Sequence, residues 1–179
     1  MDEITLVKEC VKGNAKAQFL LFDKFSKKMM AVCLRYSKNQ EESEDVLQEG
    51  FVKVFSKLKD FNHTGSLEGW IRRIMVNTAL DQIRKNTKFQ NDVQLESVDY
   101  HLGESDNQIL GELMAEDLLK LISNMPDGYK VVFNMFAIEG YSHQEIATTL
   151  GITESTSKSQ YMRAKGYLRS KLEITGDGR

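Results

Sequence analysis

Residues 140–172 read GYSHQEIATTLGITESTSKSQYMRAKGYLRSKL, and their spacing predicts two helices joined by a tight turn. Ser142 and Glu145 have the spacing of a capping box and begin a short helix. Gly151 supplies the turn, and Thr153 can cap a second, basic helix. Apolar side chains recur at helical intervals in both helices: Ile146, Ala147 and Leu150, then Tyr161, Ala164, Leu168 and Leu172. The pattern is typical of a DNA-binding helix-turn-helix, and an ordinary helical hairpin is the alternative.

The second of these helices carries polar and basic side chains near its amino-terminal end, on the side away from its apolar residues. They are Lys158, Ser159, Met162 and Arg163. In a recognition helix, Lys and Arg reach guanine edges or phosphates, Ser is adaptable, and Met can cover a thymine methyl group. Each charged side chain alone is compatible with a solvated surface. Their shared face after the turn favours contact with DNA.

The amino-terminal half of the chain also has helical patterns. Asn14 can cap a helix that runs to about Ser37, with Phe19, Phe22, Met29, Met30 and Cys33 on its apolar faces. Asn39 and Glu42 have capping-box spacing, and apolar residues then recur with the helical period at Leu47, Phe51, Val54, Phe55 and Leu58. Residues 61–66 have the composition of a loop, and a further helix follows from about Leu67 to Lys88.

The charge distribution divides the chain into parts. The net charge is −2 over 179 residues, but residues 70–88 carry +4, residues 151–173 carry +3, and residues 89–128 carry −8. Two basic segments separated by an acidic one can bind phosphate twice, although solvated helix faces give the same composition. We therefore predict an all-α fold of two small helical domains, residues 1–88 and 108–175, with an acidic linker over 89–107 and a helix-turn-helix at the end of the second domain.

The helix that begins near Leu67 has a polar stripe formed by Arg73, Asn77, Asp81 and Arg84. The opposite stripe, which we expect to face the core, contains Leu67, Ile71, Ile74 and Thr78. An Asn between arginines suits the reading of base edges, because its amide both donates and accepts hydrogen bonds. For Asp81 the alternative is a surface ion pair with Arg84 or Lys85. Trp70 fits the core better than a platform for base stacking.

Five acids and no base lie between Asn39 and Val52: Glu41, Glu42, Glu44, Asp45 and Glu49. Carboxylates in the first turn of a helix complement its dipole, which explains Glu41 and Glu42. Glu49 lies one turn beyond Asp45 and beside Gln48, too far along the helix for that effect. This acidic stripe predicts a basic protein partner.

Several function classes are not supported by the sequence. The start of the chain does not resemble a signal peptide, and no apolar stretch is long enough to span a membrane. Cys10 and Cys33 lack C-x-x-C spacing, and the histidines at 63, 101 and 143 are isolated. There is neither a phosphate-binding glycine loop nor an evident nucleophile with its base. We expect a cytoplasmic protein that inserts in no membrane, is not an enzyme, and has no metal site and no cofactor.

Three segments together resemble the extracytoplasmic-function class of bacterial sigma factors. SEDVLQEGFVKVFSKL, residues 43–58, is similar to the polymerase-binding helix of that family. GWIRRIMVNTALDQIRKN, residues 69–86, is similar to its promoter helix, with the pattern W-x-x-x-I-x-x-N-x-x-x-D-x-x-R. Residues 140–172 are similar to its carboxy-terminal helix-turn-helix. The three motifs occur in the family's order and spacing.

The resemblance implies specific roles. Asp45, Gln48 and Glu49 would dock core RNA polymerase. Promoter DNA would be recognised and opened at its minus-ten element by Phe61, Asn62, His63, Arg73, Asn77, Arg84 and Lys85. Lys158, Ser159, Met162 and Arg163 would read the minus-thirty-five element. An anti-sigma factor is a further partner that the family implies.

Three residues depart from the family pattern, and one of them is Gly166 in the recognition helix, where glycine costs about 1 kcal/mol relative to alanine. Gln160 replaces an Arg, which would remove a phosphate contact, and Ser157 replaces a Val, which would weaken the inward face of the last helix. The main alternative function is a helix-turn-helix regulator that binds an operator without polymerase. A module that docks polymerase and reads no DNA is the second alternative.

Overall fold

The computed structural model describes residues 1–85 and 115–176, and all regular structure in these residues is helical. It comprises eight α-helices: α1 (Glu3–Val11), α2 (Ala15–Tyr36), α3 (Gln40–Lys57), α4 (Leu67–Lys85), α5 (Ala115–Ser123), α6 (Asp127–Phe133), α7 (His143–Leu150) and α8 (Glu154–Gly176). A 3₁₀ turn, Leu58–Asp60, follows α3, and a π turn, Asn134–Ile138, follows α6. The predicted all-α fold is confirmed. The predicted linker over 89–107 lies outside the described residues.

The described residues fall into two compact units, and the first is Met1–Lys85. Its helices α2, α3 and α4 pack on one another, and α1 packs on α2. Their shared core includes the fully buried side chains Leu21, Met29, Val32, Val54, Ile71, Met75 and Val76. Burial of these apolar side chains is the main source of stability for so short a chain segment.

Side-chain caps determine where the helices of the first unit begin. Asp2 accepts from the Thr5 amide at 2.9 Å and starts α1, a helix that the sequence patterns did not single out. The predicted cap Asn14 accepts from the amides of Lys16 and Ala17. Each cap satisfies amide groups that have no partner within the first turn of its helix.

The predicted apolar faces of α2 are wrong for Phe19, whereas the ring of Phe22 packs on that of Phe51 with centroids 4.7 Å apart. Phe19 is 66% exposed and Phe22 is 38% exposed, whereas Met29 and Cys33 are buried as expected. Phe19 lies roughly 200° around the helix from the buried Ala17, because successive residues are about 100° apart. The helical period therefore places Phe19 on the solvent side although it is large and apolar.

The second unit, in its described part 115–176, has a separate core. Ile122, Met125, Phe133, Ala164 and Leu168 are buried together, and α8 packs against α6 and α7. The hydroxyl of Tyr167 donates to the Asn124 carbonyl at 3.2 Å and links α8 to the end of α5. Pro126 lies at the break between α5 and α6, directly before the first residue of α6.

Two glycines make the turns that shape the carboxy-terminal motif. Gly140 has a φ of +79° after the π turn, and Gly151 has a φ of +68° between α7 and α8. Side chains with a Cβ rarely adopt this left-handed conformation, so glycine is required for both turns. The predicted helix, glycine turn and second helix are therefore present over 142–176.

Candidate nucleic-acid interface

The acidic stripe of α3 lies on the surface of the first unit. Asp45 and Gln48 are exposed, Glu49 is half-buried, and Val52 follows on the same face with 69% of its surface exposed. On the other side of the helix, Val46, Phe51 and Val54 are in the core, so the stripe is the outward face of an amphipathic helix. The structure thus brings the three predicted polymerase contacts together beside an exposed apolar side chain.

A chain of ionic contacts connects this face of α3 with α4. Lys53 Nζ is 2.8 Å from Glu49 Oε1 and 3.4 Å from Asp81 Oδ2, and Asp81 Oδ1 is 3.4 Å from Arg84 Nη1. The hydrogen bond from Lys53 lowers the pKa of Glu49. Burial alone would lower the pKa of Lys53, but its bonds to Glu49 and Asp81 raise it above the ordinary value. Both groups are therefore charged at neutral pH.

The polar stripe predicted on α4 is present. Arg73, Asn77 and Lys85 are exposed and Arg84 is half-buried, while Leu67, Ile71 and Thr78 face the core. Ile74, expected in the core stripe, is half-buried. Asp81 forms the surface ion pair with Arg84 that was the alternative for it, and it also reaches Lys53 across the helix interface. This second partner, 28 positions away along the chain, was not predictable from helical spacing.

The loop before α4 is held by ring contacts of Phe61 and by hydrogen bonds to Asn62. Phe61 is only 7% exposed, and its ring centroid lies 5.4 Å from that of Trp70 and 4.6 Å from that of His63. Asn62 Oδ1 accepts from the amide and hydroxyl of Thr64, at 3.2 Å and 2.7 Å. Asn62 and His63 are exposed and can contact DNA, whereas the ring of Phe61, also predicted to contact DNA, is buried. Trp70 is half-buried against Phe61, which accords with the expected packing role.

The helix-turn-helix is capped as predicted. Ser142 Oγ accepts from the Glu145 amide at 3.2 Å, and Glu145 Oε2 accepts from the Ser142 amide at 2.8 Å. In α8, Lys158 is exposed, and Ser159, Met162 and Arg163 are half-buried. Lys158 Nζ lies 2.9 Å from Glu154 Oε1, and this contact lowers the pKa of Glu154. The four residues expected to contact DNA therefore lie near the amino-terminal end of the second helix.

Ser157 and Gln160, two of the departures from the family pattern, both lie on the inward face of α8. Gln160 is fully buried, so the side chain at position 160 faces the core and is not placed to contact a phosphate. Ser157 is also fully buried, but its hydroxyl lies 2.9 Å from His143 Nδ1. A polar contact between α7 and α8 thus takes the place of the apolar contact that was expected to be weakened.

His143 belongs to an aromatic cluster that the sequence analysis missed. Its ring stacks on Phe136 with centroids 4.2 Å apart, and Tyr161 lies 4.6 Å from Phe136. Burial lowers the pKa of His143, the nearby Lys158 lowers it further, and Glu154 opposes the shift. The spacing of His143 along the sequence gives no signal for this cluster, because Phe136, His143 and Tyr161 come from three different elements.

The described residues contain no group of three His, Cys, Asp or Glu side chains that could hold a metal ion. Within 1–85 and 115–176, no helix combines the length and apolar character needed to cross a membrane.

Comparison with known proteins matches both units to models of a single family. Residues 21–89 match sigma-70 region 2, and residues 115–168 match sigma-70 region 4. The first match contains the stripe on α3 and the helix α4, and the second contains α7 and α8 as far as Leu168.

Related proteins carry the same family name. The chain is 32% identical over 141 residues to the ECF RNA polymerase sigma factor SigE of Mycolicibacterium smegmatis, covering 77% of this chain and 54% of SigE. It is 25% identical over 178 residues to the ECF RNA polymerase sigma-E factor of Haemophilus influenzae, covering 94% of each. The present chain thus spans about half the length of SigE and nearly all of the Haemophilus protein.

Two solved structures share the fold. RpoE of Bartonella quintana, in complex with the anti-sigma factor NepR, has a TM-score of 0.55 at 23% identity and covers 87% of this chain and 96% of its own. CnrH, in complex with the cytosolic domain of CnrY, has a TM-score of 0.51 at 19% identity and covers 95% and 96%.

Proposed function

The chain belongs to the extracytoplasmic-function class of RNA polymerase sigma factors, and from this premise we propose how its two units divide the work of promoter-specific transcription initiation. The protein binds core RNA polymerase and directs it to promoters. The face of α3 with Asp45, Gln48 and Glu49 docks the polymerase. The α4 stripe with the 61–66 loop reads and opens the minus-ten element, and α8 reads the minus-thirty-five element.

The observation that carries the proposal is the exposed polar stripe on α3, directly joined to α4 by Lys53. Acidic side chains beside the exposed Val52 suit a basic partner surface with an apolar centre. Because α3 packs closely along α4, with Gly50 against Met75, the docking face and the promoter-reading helix keep a fixed position relative to each other. A sigma factor needs this arrangement, since docking must place the DNA-reading side chains correctly.

The minus-ten contacts follow from the chemistry of α4. Asn77 is exposed between basic side chains on one face, so its amide can read a base edge while Arg73 and Lys85 hold phosphates. Asn62 and His63 lie in a loop braced by Phe61 against Trp70. Such a rigid loop suits an unstacked base, which requires a preformed polar pocket.

The protein adds no chemistry of its own, and the polymerase forms the phosphodiester bonds. We place it in the cytoplasm, where the polymerase and the promoter lie. An anti-sigma factor is a further proposed partner, because RpoE of Bartonella quintana, which shares the fold, is solved in complex with the anti-sigma factor NepR.

Run-off transcription tests the proposal. Purified core enzyme is incubated with genomic fragments with and without the protein, and the start sites are mapped. We expect new, defined start sites only when the protein is present, and weak duplex binding by the protein alone. Identical start sites in both reactions would refute the proposal, and tight operator binding without polymerase would instead support a stand-alone regulator.

A further inference from the structure

His143 lies where the two helices of the helix-turn-helix meet. It is the first residue of α7, and its Nδ1 is 2.9 Å from the hydroxyl of Ser157 in α8. Its ring stacks on Phe136, with centroids 4.2 Å apart, and makes an edge contact with Tyr161, with centroids 5.9 Å apart. The imidazole therefore has a fixed orientation, and that orientation directs its nitrogen at one atom of the second helix.

Ser157 directly precedes the side chains proposed to meet DNA. It is fully buried, whereas Lys158 is exposed and Ser159 is half-buried. A helix is rigid over so short a distance, so the depth and rotation at which Ser157 is held determine how far the next residues project. Base readout depends on such placement, because hydrogen bonds to base edges lose strength within a few tenths of an ångström.

We infer that His143 is a positioning residue for promoter recognition. Its contact with Ser157 determines the depth and rotation at which α8 packs on α7, and thereby how far Lys158 and Ser159 project. The inference rests on the proposed minus-thirty-five role of α8. His143 itself does not contact DNA in this arrangement.

The charged groups around the ring are compatible with this role. Lys158 and Glu154 on α8 act on His143 in opposite directions, and Phe136 and Tyr161 contribute apolar surface. Burial and Lys158 together lower the pKa of the imidazole, so it is neutral near pH 7. A neutral imidazole offers one donor and one acceptor, and either can pair with a serine hydroxyl.

Three variants separate positioning from packing. His143→Phe keeps a stacked ring and removes the nitrogen. His143→Asn removes the ring but carries its amide to the place of Nδ1. His143→Phe/Ser157→Val replaces both polar partners by apolar groups, which leaves no buried hydroxyl without its partner. Thermal unfolding of each full-length variant sets the assay temperature at which the chain remains folded.

The assay compares two templates with each holoenzyme. One is a promoter identified by run-off transcription, and the other is the same promoter with its minus-thirty-five element replaced. The ratio of initiation on the two templates reports minus-thirty-five reading, because a variant whose first unit folds poorly loses initiation on both, and the thermal unfolding measurement detects a second unit that folds poorly. We expect His143→Phe to lower this ratio about fivefold, the equivalent of one hydrogen bond. We expect His143→Asn to restore most of it and the double variant to restore part.

An unchanged ratio in His143→Phe would overturn the inference while leaving the proposed function intact. So would a larger loss in His143→Asn than in His143→Phe, since the packing of the ring, and not its nitrogen, would then hold α8 in place. If the wild-type holoenzyme does not distinguish the two templates, the minus-thirty-five role itself fails and the inference fails with it.

Discussion

Gly50 of α3 packs so closely on Met75 of α4 that a Cβ at position 50 would overlap the Met75 sulfur. Met75 is fully buried, so it has little room to move. Glycine inside a helix costs about 1 kcal/mol relative to alanine, and this cost is offset here by the close approach of two helices. The contact lies between the proposed docking face on α3 and the proposed promoter-reading face on α4.

Gly50→Ala is expected to destabilise the first unit by about 1–2 kcal/mol, because overpacking outweighs the gain in helix propensity. In a Met75→Ala background the same substitution is expected to be stabilising, since the new methyl group enters the space that Met75 vacates. Urea unfolding followed by the fluorescence of Trp70, the single tryptophan, reports on this unit. A stabilising effect of Gly50→Ala in both backgrounds would show that the helices are not in contact there.

Features that depend on neighbouring residues were predictable from the sequence. The capping box of Ser142 and Glu145 and the cap at Asn14 involve residues within one helical turn, and the structure contains both. The polar stripes on α3 and α4 follow from helical periodicity, which fixes the residues that share a face. The resemblance to sigma factors added the roles that periodicity cannot supply.

Features that depend on distant residues were not predictable in this way. Helical spacing gives the pairing of Asp81 with Arg84 but not its contact with Lys53, which lies on another helix. Gln160 is polar, and its identity gave no signal that it is buried, whereas Ser157 was expected on the inward face but without a polar partner. Ser157 is accommodated because His143, from the preceding helix, meets its hydroxyl. Tertiary packing, not local sequence, determines such sites.

Glu49→Lys is expected to abolish association with core polymerase while the chain remains folded. Glu49 is largely at the surface, and exposed ion pairs such as Glu49–Lys53 contribute only about 0–1 kcal/mol to stability. A reversed charge inside a desolvated contact costs about 2–5 kcal/mol. Co-purification with core enzyme measures the loss. Asp23→Lys, the same change at an exposed position of α2, is the matched control, and equal retention of both variants by the polymerase would contradict the docking role of α3.

Asn77→Ala is expected to lower initiation at least about fivefold without weakening polymerase binding, because a lost base-edge contact costs about 1–3 kcal/mol. Asn77 is exposed, so the substitution leaves the core of the first unit unchanged. Gln82→Ala on the same helix, off the stripe, serves as the control. Equal initiation by the two variant holoenzymes on the mapped promoter would exclude Asn77 from minus-ten recognition.

The stability of the helix-turn-helix is expected to decrease in mild acid through His143. Burial and Lys158 lower the pKa of the folded imidazole, while in the unfolded chain it titrates near its ordinary value of 6.5. As pH falls below about 6.5, the unfolded chain binds the proton first, so its free energy falls relative to the folded state. The contribution of the neutral ring is thus complete above that pH and lost as pH approaches the folded pKa.

Amide hydrogen exchange in α7 and α8, measured from pH 8 to pH 5.5 and corrected for intrinsic exchange, tests this dependence. His143→Asn has no titrating group at this position, so its protection should change less with pH than that of the wild type. Parallel pH profiles for the two proteins would rule out His143 as the source of the effect.

Lys158 is paired with Glu154 in the free protein, and this pairing has a measurable consequence for DNA binding. The two groups are 2.9 Å apart and both are exposed, so the ion pair is weak and can exchange for a phosphate. If Lys158 neutralises one phosphate, Lys158→Ala lowers promoter affinity and reduces the slope of log affinity against log salt by about one unit.

Glu154→Gln is expected to raise affinity, because it removes a negative charge that competes with the phosphate. Lys171→Ala, about 20 Å further along α8 by helical rise, is the matched charge control. Holoenzyme binding to the mapped promoter at a series of salt concentrations provides all the slopes. Identical slopes for Lys158→Ala and Lys171→Ala would mean that Lys158 is a solvated surface group and that α8 approaches DNA by another face.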